Sequence, residues 1–458
     1  MKKNILLILS STIIILSMMI AGCQPTIAPV EEPVAVDEPA EDVVEEPVAG
    51  EDAAPGEVVE IVYMRQAEAH EIDLEFVEEF NNMQDRIKVV VDNVPAGDTY
   101  TKLALTTEAG NPPDVYMTYW TVGAASNGLA YDLAPFIEQE GEEWFNSYAK
   151  TSWDFNAFAG SFYGVPYRVS PVTVILNLNM FEKAGLDVPP YDWTWDDFLE
   201  TARLLTNEDE DEYGYCISGS AESHGTDAQY YPFLFSAGGR MINDEGLAGF
   251  NSPEGEEALQ FMIHLIEEGV VPPGTTTASN NTCVDLLVSD KAAMWIDASL
   301  WLGFIRAPHP EANITIATMP SHTASSTDNG GTGLGMASKT KHPEEAWEFL
   351  KFLTSDEIMK RWAIAADFVP GNWAVLNDPD FLADPENETV AYMLDNYKVW
   401  PLSNYPDNAN LEGTLRSYIQ SAYLGVQTPE EALNGAAEEW NAVLRDWQSE
   451  NWWALWTE

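Results

Sequence analysis

The side chains most often used in catalysis do not form a recognisable catalytic pattern in this sequence. The six histidines include no pair at the H-E-x-x-H spacing of a zinc site. The glycine run from Gly330 to Gly335 lacks the G-x-G-x-x-G spacing of a dinucleotide-binding turn. No G-x-S-x-G motif marks an esterase nucleophile. We therefore predict that the protein is not an enzyme and uses neither a metal nor a cofactor.

Two other chemistries remain open at this point. A glycoside hydrolase needs only two carboxylates across a cleft, and the chain has 75 acidic residues. Because so many pairs are available, their presence does not favour that activity. The alternatives kept here are an extracellular carbohydrate hydrolase and a receptor for ferric iron, with paired tyrosines and a histidine as ligands.

The N-terminal residues have the pattern of a bacterial export signal. Lys2 and Lys3 precede an uncharged, largely aliphatic run that leads to Cys23. The run is too short for a membrane-spanning helix, and its end resembles the lipobox of bacterial lipoproteins. The resemblance implies that 1–22 are a signal peptide and that Cys23 carries the lipid. We expect the protein at the cell membrane, lipid-anchored on the extracytoplasmic side.

Negative charge dominates the chain. With 21 basic and 75 acidic residues, the formal net charge is −54 at pH 7, which repels nucleic acids and anionic lipid head groups. The segment 23–57 is acidic and rich in proline and contains neither Lys nor Arg. Such a segment cannot bury enough apolar surface to fold. We predict that it is an extended tether and that the protein has no nucleic-acid partner.

The cysteines give little information on their own. Apart from Cys23, only Cys216 and Cys283 are present, too few for a disulfide-rich or zinc-binding framework. These two could pair in an oxidising exterior or remain as two buried thiols. Both alternatives stay open.

The elements that must position any site begin with alternating strand and helix patterns. An apolar run over Val58–Met64 is followed by a helical period over Ile72–Phe80 and a β-branched run over Ile87–Val91. A helix around Tyr100–Leu105 and a strand over Asp114–Tyr119 continue the alternation. This order predicts an α/β sheet with helices on its faces.

Capping residues mark several later helices. Thr194, Ser252 and Thr428 have the residue types and spacing of helix N-caps, and Pro343 begins a further helix. The elements between 172 and 458 are too numerous to continue the first sheet. A second lobe is therefore required.

These segments resemble the extracellular solute-binding lipoproteins of ATP-binding-cassette (ABC) importers, specifically the sugar-binding group similar to maltodextrin-binding protein. The matching stretches are Ala109–Val115, Tyr163–Tyr167, Asn179–Leu186, Trp193–Phe198, Phe235–Gly239, Asp290–Met294, His342–Trp347 and Thr428–Leu433. Together they span nearly all of 58–458 in family order. One departure is Asp290, where the family usually has glycine, and another is Tyr63, where tryptophan is common.

The resemblance implies an α/β, two-lobed periplasmic-binding-protein-like fold of type II, with both lobes discontinuous in sequence. Three hinge crossings are expected near 167–172, 327–332 and 369–373. The resulting boundaries are 58–168 and 330–370 for lobe 1, and 172–326 and 374–458 for lobe 2.

The implied function is that of the substrate-binding component of an ABC importer. Such a protein captures a mono- or oligosaccharide between its lobes, closes by a hinge motion and delivers the sugar to the transmembrane permease subunits. We expect a monomer. The acidic surface repels anionic solutes, so neutral saccharides are favoured over acidic ones.

A sugar site needs flat aromatic rings for the apolar C–H faces of the pyranose and planar polar groups for its hydroxyl rim. Loops at the carboxyl ends of sheet strands face the cleft in α/β folds. The residues predicted at such positions are Arg65, Gln66, Glu68, Tyr119, Trp120, Tyr167, Arg168, Gln229, Tyr230, Trp301, Trp373 and Tyr405. Each aromatic residue among them could instead belong to the core.

Overall fold

The computed structural model describes residues 58–67, 69–118, 121–366, 368–401 and 405–450, all within one compact unit. The strands are β1 Val59–Gln66, β2 Ile87–Val94, β3 Val115–Thr118, β4 Ala157–Phe158, β5 Ser161–Phe162, β6 Val165–Asn177, β7 Tyr213–Cys216, β8 Ala292–Ala298, β9 Ile314–Ala317, β10 Ser326–Met336, β11 Val369–Pro370 and β12 Lys398–Pro401. The helices are α1 Ile72–Met83, α2 Thr99–Glu108, α3 Thr121–Ser126, α4 Ala134–Glu140, α5 Glu142–Phe145, α6 Lys150–Asp154, α7 Leu178–Ala184, α8 Trp195–Leu205, α9 Gly225–Ala237, α10 Pro253–Glu267, α11 Asn280–Val288, α12 Trp301–Arg306, α13 Pro343–Leu353, α14 Asp356–Ala366, α15 Trp373–Leu376, α16 Pro385–Asn396, α17 Asn408–Tyr423 and α18 Pro429–Leu444. Every helix among the described residues is too short or too polar to cross a bilayer.

The first elements form the predicted α/β sheet. Strand β1 pairs in parallel with β2 and with β3. Helix α1 buries Phe76 and Phe80 in the core on one face of this sheet. Leu103 of α2 packs with Met64 and Tyr116 in a smaller cluster. The prediction of a sheet covered by helices is therefore confirmed.

Strand β6 passes through two parts of the sheet. Its residues 165–171 pair with β10, and its residues 172–177 pair with β8 and β9. All 13 residues are buried. Side chains alternate between two core clusters, with Val174 and Leu176 in one and Ile175 in the other, as strand geometry requires. The strand therefore joins a first part, ordered β2-β1-β3-β10-β6, to a second part, ordered β6-β8-β7.

The glycine run lies in strand β10, which pairs antiparallel with β6 and β3. A Cβ atom on Gly331 would collide with the carbonyl oxygen of Arg168, and one on Gly333 would collide with the side-chain amide of Asn156. Glycine is therefore needed here for close approach of neighbouring chain segments.

Asp290 has a backbone φ of 57°, in the left-handed region that suits glycine. This conformation explains why the family usually has glycine at the position. In this chain Oδ1 of Asp290 accepts hydrogen bonds from Nδ2 of Asn177 at 2.7 Å and Nδ2 of Asn179 at 3.1 Å. These bonds offset part of the backbone cost, and the fold is retained.

The predicted N-caps are confirmed. Thr194 and Thr428 form capping boxes with Asp197 and Glu431, and the Ser252 hydroxyl accepts a hydrogen bond from the first turn of α10. Each pairing satisfies backbone N–H groups that would otherwise lack a partner at the start of a helix.

Cys216 at the end of β7 and Cys283 in α11 form a disulfide across a separation of 67 residues. Of the two alternatives that the sequence left open, pairing is therefore the one found in the structure. The bond ties the second part of the sheet to the helix that packs beside it.

Candidate ligand-binding site

Three of the predicted residues line one small cavity between the two parts of the sheet. Gln66 ends β1, and Tyr167 and Arg168 lie in β6; Phe304 of α12 faces them from the second part. The remaining lining residues are Ala69, His70, Met117, Thr332, Trp362 and Phe368. The cavity measures about 40 Å³, which is room for water but less than a bound sugar needs.

Tyr167 and Arg168 are held in fixed positions. The hydroxyl of Tyr167 donates to Oδ1 of Asp73 at 2.9 Å, and burial together with the Asp73 charge raises the pKa of Tyr167. Arg168 donates to the Thr332 hydroxyl at 2.8 Å, and its guanidinium carbon lies 4.5 Å from the centroid of the Phe368 ring. A fixed phenol, a guanidinium and an aromatic ring therefore meet at one surface, which suits both the rim and the face of a sugar.

Gln66 and Trp362 bring buried donors to the same cavity. Both residues are 3% exposed, and neither Nε2 of Gln66 nor Nε1 of Trp362 has a hydrogen-bond partner among the residues that the structure describes. A buried donor without an acceptor is costly unless water or a ligand supplies one. The cavity therefore offers N–H groups to a ligand oxygen.

Arg65 does not present its guanidinium to the cavity. The side chain is 1% exposed and donates to Oδ1 of Asn93 at 2.9 Å. It also donates to the carbonyl oxygens of Ala69 and His70 and lies 3.4 Å from Asp73. Its visible role is to hold the loop after β1 in place.

Gln229 and Tyr230 are not brought to the cavity. Both are fully buried in α9. The amide of Gln229 accepts a hydrogen bond from the Ser218 N–H and donates to the Ile296 carbonyl, and the Tyr230 hydroxyl donates to the Gly255 carbonyl. In this conformation their polar groups serve the core of the second part.

The remaining predicted aromatics occupy three different environments. Trp301 is half-buried at the start of α12, with its ring centroid 5.9 Å from that of Phe304, which in turn lies 6.3 Å from Phe368 beside the cavity. Trp373 is half-buried and packs against the core of the first part. Tyr405 is buried beside α17. The structure therefore connects Trp301 to the cavity and places Trp373 in a core.

Three predicted site residues, Glu68, Tyr119 and Trp120, lie outside the described residues. Cys23 and the whole segment 23–57 also lie outside them.

A polar cluster that the sequence analysis did not select lies on the second part of the molecule. His224 precedes α9, Asp227 is in the first turn of α9, and Glu412 and Arg416 lie one turn apart in α17. Nη1 of Arg416 is 2.9 Å from Oδ2 of Asp227 and 3.6 Å from Oε2 of Glu412, and Nδ1 of His224 is 3.3 Å from Oδ1 of Asp227. The Tyr405 hydroxyl donates to Oε1 of Glu412 at 3.2 Å. Tyr405 is thus the predicted residue that joins this cluster.

His224 is the exposed member of the cluster. The Asp227 and Glu412 side chains are 0% and 3% exposed, whereas 48% of the His224 side chain is exposed. His224 therefore lies deep among buried groups but still faces solvent, as expected for the floor of a cleft. Partial removal from water opposes its charged form, but the nearby carboxylates, Asp227 foremost, outweigh that effect and raise the pKa of His224 to about 10. At neutral pH the ring is an exposed cation.

Asp297 connects this cluster to Trp301. Oδ2 of Asp297, at the end of β8, accepts from Nδ2 of Asn280 at 2.8 Å, and Oδ1 accepts from the Ala298 N–H at 2.7 Å. Burial raises the pKa of Asp297 to about 6, while His224 and the Trp301 indole act to lower it. Since each group shifts the pKa of the other, His224 and Trp301 border the same surface.

The side chains of His224, Asp227 and Glu412 could each offer one ligand atom to a metal ion, with these atoms within 4.8 Å of one another. However, the Arg416 guanidinium already lies against both carboxylates. It supplies the positive charge that an ion would bring, so the group fits a charge-balanced network better than a metal site.

The tyrosines of the cluster also fit an iron site poorly. The hydroxyl oxygens of Tyr231 and Tyr405 are 3.4 Å apart. Burial, with the neighbouring tyrosine and carboxylates, raises the pKa of both well above the usual value. A metal ligand has to be deprotonated, and these phenols are held in the protonated form.

The chain matches known proteins along most of its length. Residues 67–360 match the sequence model of the family described as bacterial extracellular solute-binding protein. A protein of Brucella abortus (strain 2308), named simply as a binding protein, is 24% identical over 77% of this chain and 84% of its own length. The arabinooligosaccharide-binding protein of Halalkalibacterium halodurans is 24% identical over 68% of this chain and 71% of its own length.

A solved structure with the same fold is the ABC transporter solute-binding protein of Thermotoga lettingae, bound with α-D-tagatose. It superposes with a TM-score of 0.72 and 25% identity over 84% of this chain and 100% of that chain. The predicted two-lobed α/β fold is therefore confirmed. From the match over residues 67–360 and this shared fold, the chain belongs to the family of bacterial extracellular solute-binding proteins.

Proposed function

We propose that the protein is the substrate-binding component of an ABC importer and captures a neutral sugar between its two lobes. The observation that carries this proposal is the meeting of two surfaces where β6 changes pairing partners. Tyr167 and Arg168 contribute fixed polar groups from one side, and Trp301 and Phe304 contribute rings from the other. The relatives named above bind an arabino-oligosaccharide and tagatose, which are neutral sugars.

The lobes in this proposal are 58–168 with 330–370, and 172–326 with 374–458. The change of β6 from pairing with β10 to pairing with β8 and β9 at residues 171–172 supports the first crossing. Strands β10 and β11 both pair with β6 beside that point, which supports the other two. Three adjacent crossing segments would allow a hinge motion between the lobes.

The proposed partners are the permease subunits of the importer and the membrane, the latter through lipid on Cys23 and the tether 23–57. The disulfide between Cys216 and Cys283 supports a location in an oxidising compartment outside the cytoplasm. The protein acts as a monomer without a cofactor, and nucleic acid is not among its partners.

The proposed role is that of a receptor, which leaves the sugar unchanged. Asp227 and Glu412 both lie against Arg416, and Asp297 accepts hydrogen bonds from Asn280 and Ala298. Carboxylates held in this way are poorly placed to serve as the general acid and base of a hydrolase.

Calorimetric titration of the full-length protein with arabinotriose, maltotriose, tagatose and mannitol tests the proposal. We expect at least one of these to bind with 1:1 stoichiometry and chromatography to recover it intact. Trp301→Ala should weaken the tightest of the four roughly tenfold or more, because a stacking surface is lost. Trp447→Ala is the matched control, since Trp447 is also half-buried and packs against Phe158 instead.

Other results would favour the alternatives. Release of shorter sugars would support a hydrolase, and a visible colour on addition of ferric ion would support an iron receptor. Binding of another class of small molecule, with no response to any sugar, would show that the proposed substrate is wrong.

A further inference from the structure

We propose that His224 is the charged hydrogen-bond donor of the second lobe and donates through Nε2 to an oxygen atom of the bound sugar. This inference rests on the proposed function and adds a substrate class to it. The group read at this position is a hydroxyl or ring oxygen, and a protonated amine is rejected. None of the predicted site residues has this role.

The ring of His224 is oriented by a buried ion pair. Its Nδ1 lies 3.3 Å from Oδ1 of Asp227, and Oδ2 of the same carboxylate lies 2.9 Å from Nη1 of Arg416. The Asp227 side chain has no solvent exposure. With Nδ1 facing this carboxylate, Nε2 is the ring donor left for a ligand. A donor already fixed in position loses little conformational freedom on binding.

The charge on His224 is maintained against an opposing field. The residue occupies the N-cap of α9, a helix of 13 residues, and the positive end of a helix dipole disfavours a cation there. The ring stays charged because carboxylates from three elements lie around it: Asp227 of α9, Glu412 of α17 and Asp297 of β8. A network that keeps one exposed side chain charged in an unfavourable place is consistent with a binding role.

His224 borders the surface that carries Trp301. Asp297 interacts electrostatically with His224 and forms a hydrogen bond with the Trp301 indole. Asn280, which starts α11, donates to Asp297 at 2.8 Å. The charged donor and the half-buried indole therefore lie on either side of one fixed carboxylate. A ligand that stacks on Trp301 brings its polar edge toward His224.

The charges that face His224 also define what it rejects. Asp227, Asp297, Asp328 and Glu412 face it as acids, and Arg416 faces it as a base. Burial raises the pKa of Asp328 well above its usual value, so this group is neutral at pH 7. The fixed positive charge at Nε2 repels a ligand ammonium group and attracts an oxygen acceptor.

Calorimetry of full-length variants tests this inference, with the tightest of arabinotriose, maltotriose, tagatose and mannitol as the probe. His224→Ala should weaken binding roughly 10- to 100-fold, the range for loss of a hydrogen bond from a charged group. His224→Gln keeps a neutral donor and should recover part of this loss. His264→Gln is the matched control, since the His264 side chain is 43% exposed on α10 and also pairs with acidic residues.

The pH dependence separates a binding role from a structural one. Wild-type affinity should stay level from pH 7 to 8.5 and fall between pH 9 and 11, as His224 loses its proton. The His224→Gln variant should lack that additional fall, while an NMR titration of the wild-type imidazole should show the same midpoint. Thermal melting of each variant shows whether it is folded.

The possible results are distinguishable. If His224→Ala and His224→Gln both bind the probe as tightly as the wild type, the inference is overturned and the proposed function stands. An imidazole that titrates near the ordinary histidine value also overturns it. If none of the four sugars binds the wild type, the proposed sugar class and this inference fail together.

Discussion

Two side chains occupy states that isolated residues would avoid, and neighbouring polar groups offset the cost in each case. His224 carries a positive charge at the start of α9, with Asp227 and the Arg416 network below it. Asp290 has a left-handed backbone and is bonded to Asn177 and Asn179. Because the compensation comes from specific neighbours, substitutions at these sites should have larger effects than ordinary surface changes.

Asp290 gives a direct test of this compensation. Asp290→Val should lower the free energy of unfolding by about 2 kcal/mol, because a β-branched residue is strained at positive φ and both side-chain hydrogen bonds are lost. Asp290→Gly loses the bonds but gains backbone freedom, so it should stay within about 1 kcal/mol of the wild type. Urea denaturation measures both. A valine variant as stable as the glycine variant would show that the backbone conformation is unimportant.

The role of His224 was not predictable from local sequence. Motif searches compare residues a few positions apart, whereas Glu412 and Arg416 lie nearly 190 residues away along the chain and meet His224 only through tertiary packing. Tyr167 and Arg168 were predicted because they follow the family motif at the first crossing. The side chain of Arg65 also lies near this region, but its full use in local hydrogen bonds could not be read from its position.

Strand β10 shows how an element can require a particular composition without binding anything. Its glycines allow it to lie against β6 and the side chain of Asn156. Gly331→Ala should lower the free energy of unfolding by about 1–3 kcal/mol, because the added methyl group meets the backbone carbonyl of Arg168, which cannot move aside easily. Gly97→Ala is the control, since a Cβ there meets no atom within 4 Å. Equal stability of the two variants in thermal or urea unfolding would refute the packing explanation.

The elements differ in how far local patterns predicted them. Helices α8, α10 and α18 begin at capping residues, and such signals act within one turn, so their starts were predictable. Helix α9 is buried along its whole length. A helix without a polar face gives no sequence signal for which side meets a cleft. This is why Gln229 and Tyr230 were predicted at the site, whereas the structure places them in the core.

The two-lobed architecture was predictable because many weak family motifs occur in order along the chain. The α/β order of the first elements gave independent support from the residues alone. The detailed contents of the cleft were less accessible, because they depend on side chains from β1, β6, β8, α12 and α17 that meet only in the folded protein. The disulfide was likewise a choice between two alternatives until the structure brought Cys216 and Cys283 together.

Capture between lobes makes a prediction about shape in solution. The cavity at the boundary holds only about 40 Å³ in the present conformation, so a sugar could enter only if the lobes move apart. We expect the unliganded protein to populate a more open arrangement and the sugar to favour a closed one. The three crossing segments near β6, β10 and β11 would carry the motion.

Small-angle X-ray scattering of the full-length protein, with and without a saturating concentration of the tightest of the four sugars, tests this account most directly. Saturation is verified by calorimetry on the same preparation. The account predicts that the radius of gyration decreases when the sugar binds, because the two lobes close around it. An unchanged radius of gyration at verified saturation would contradict capture by closure.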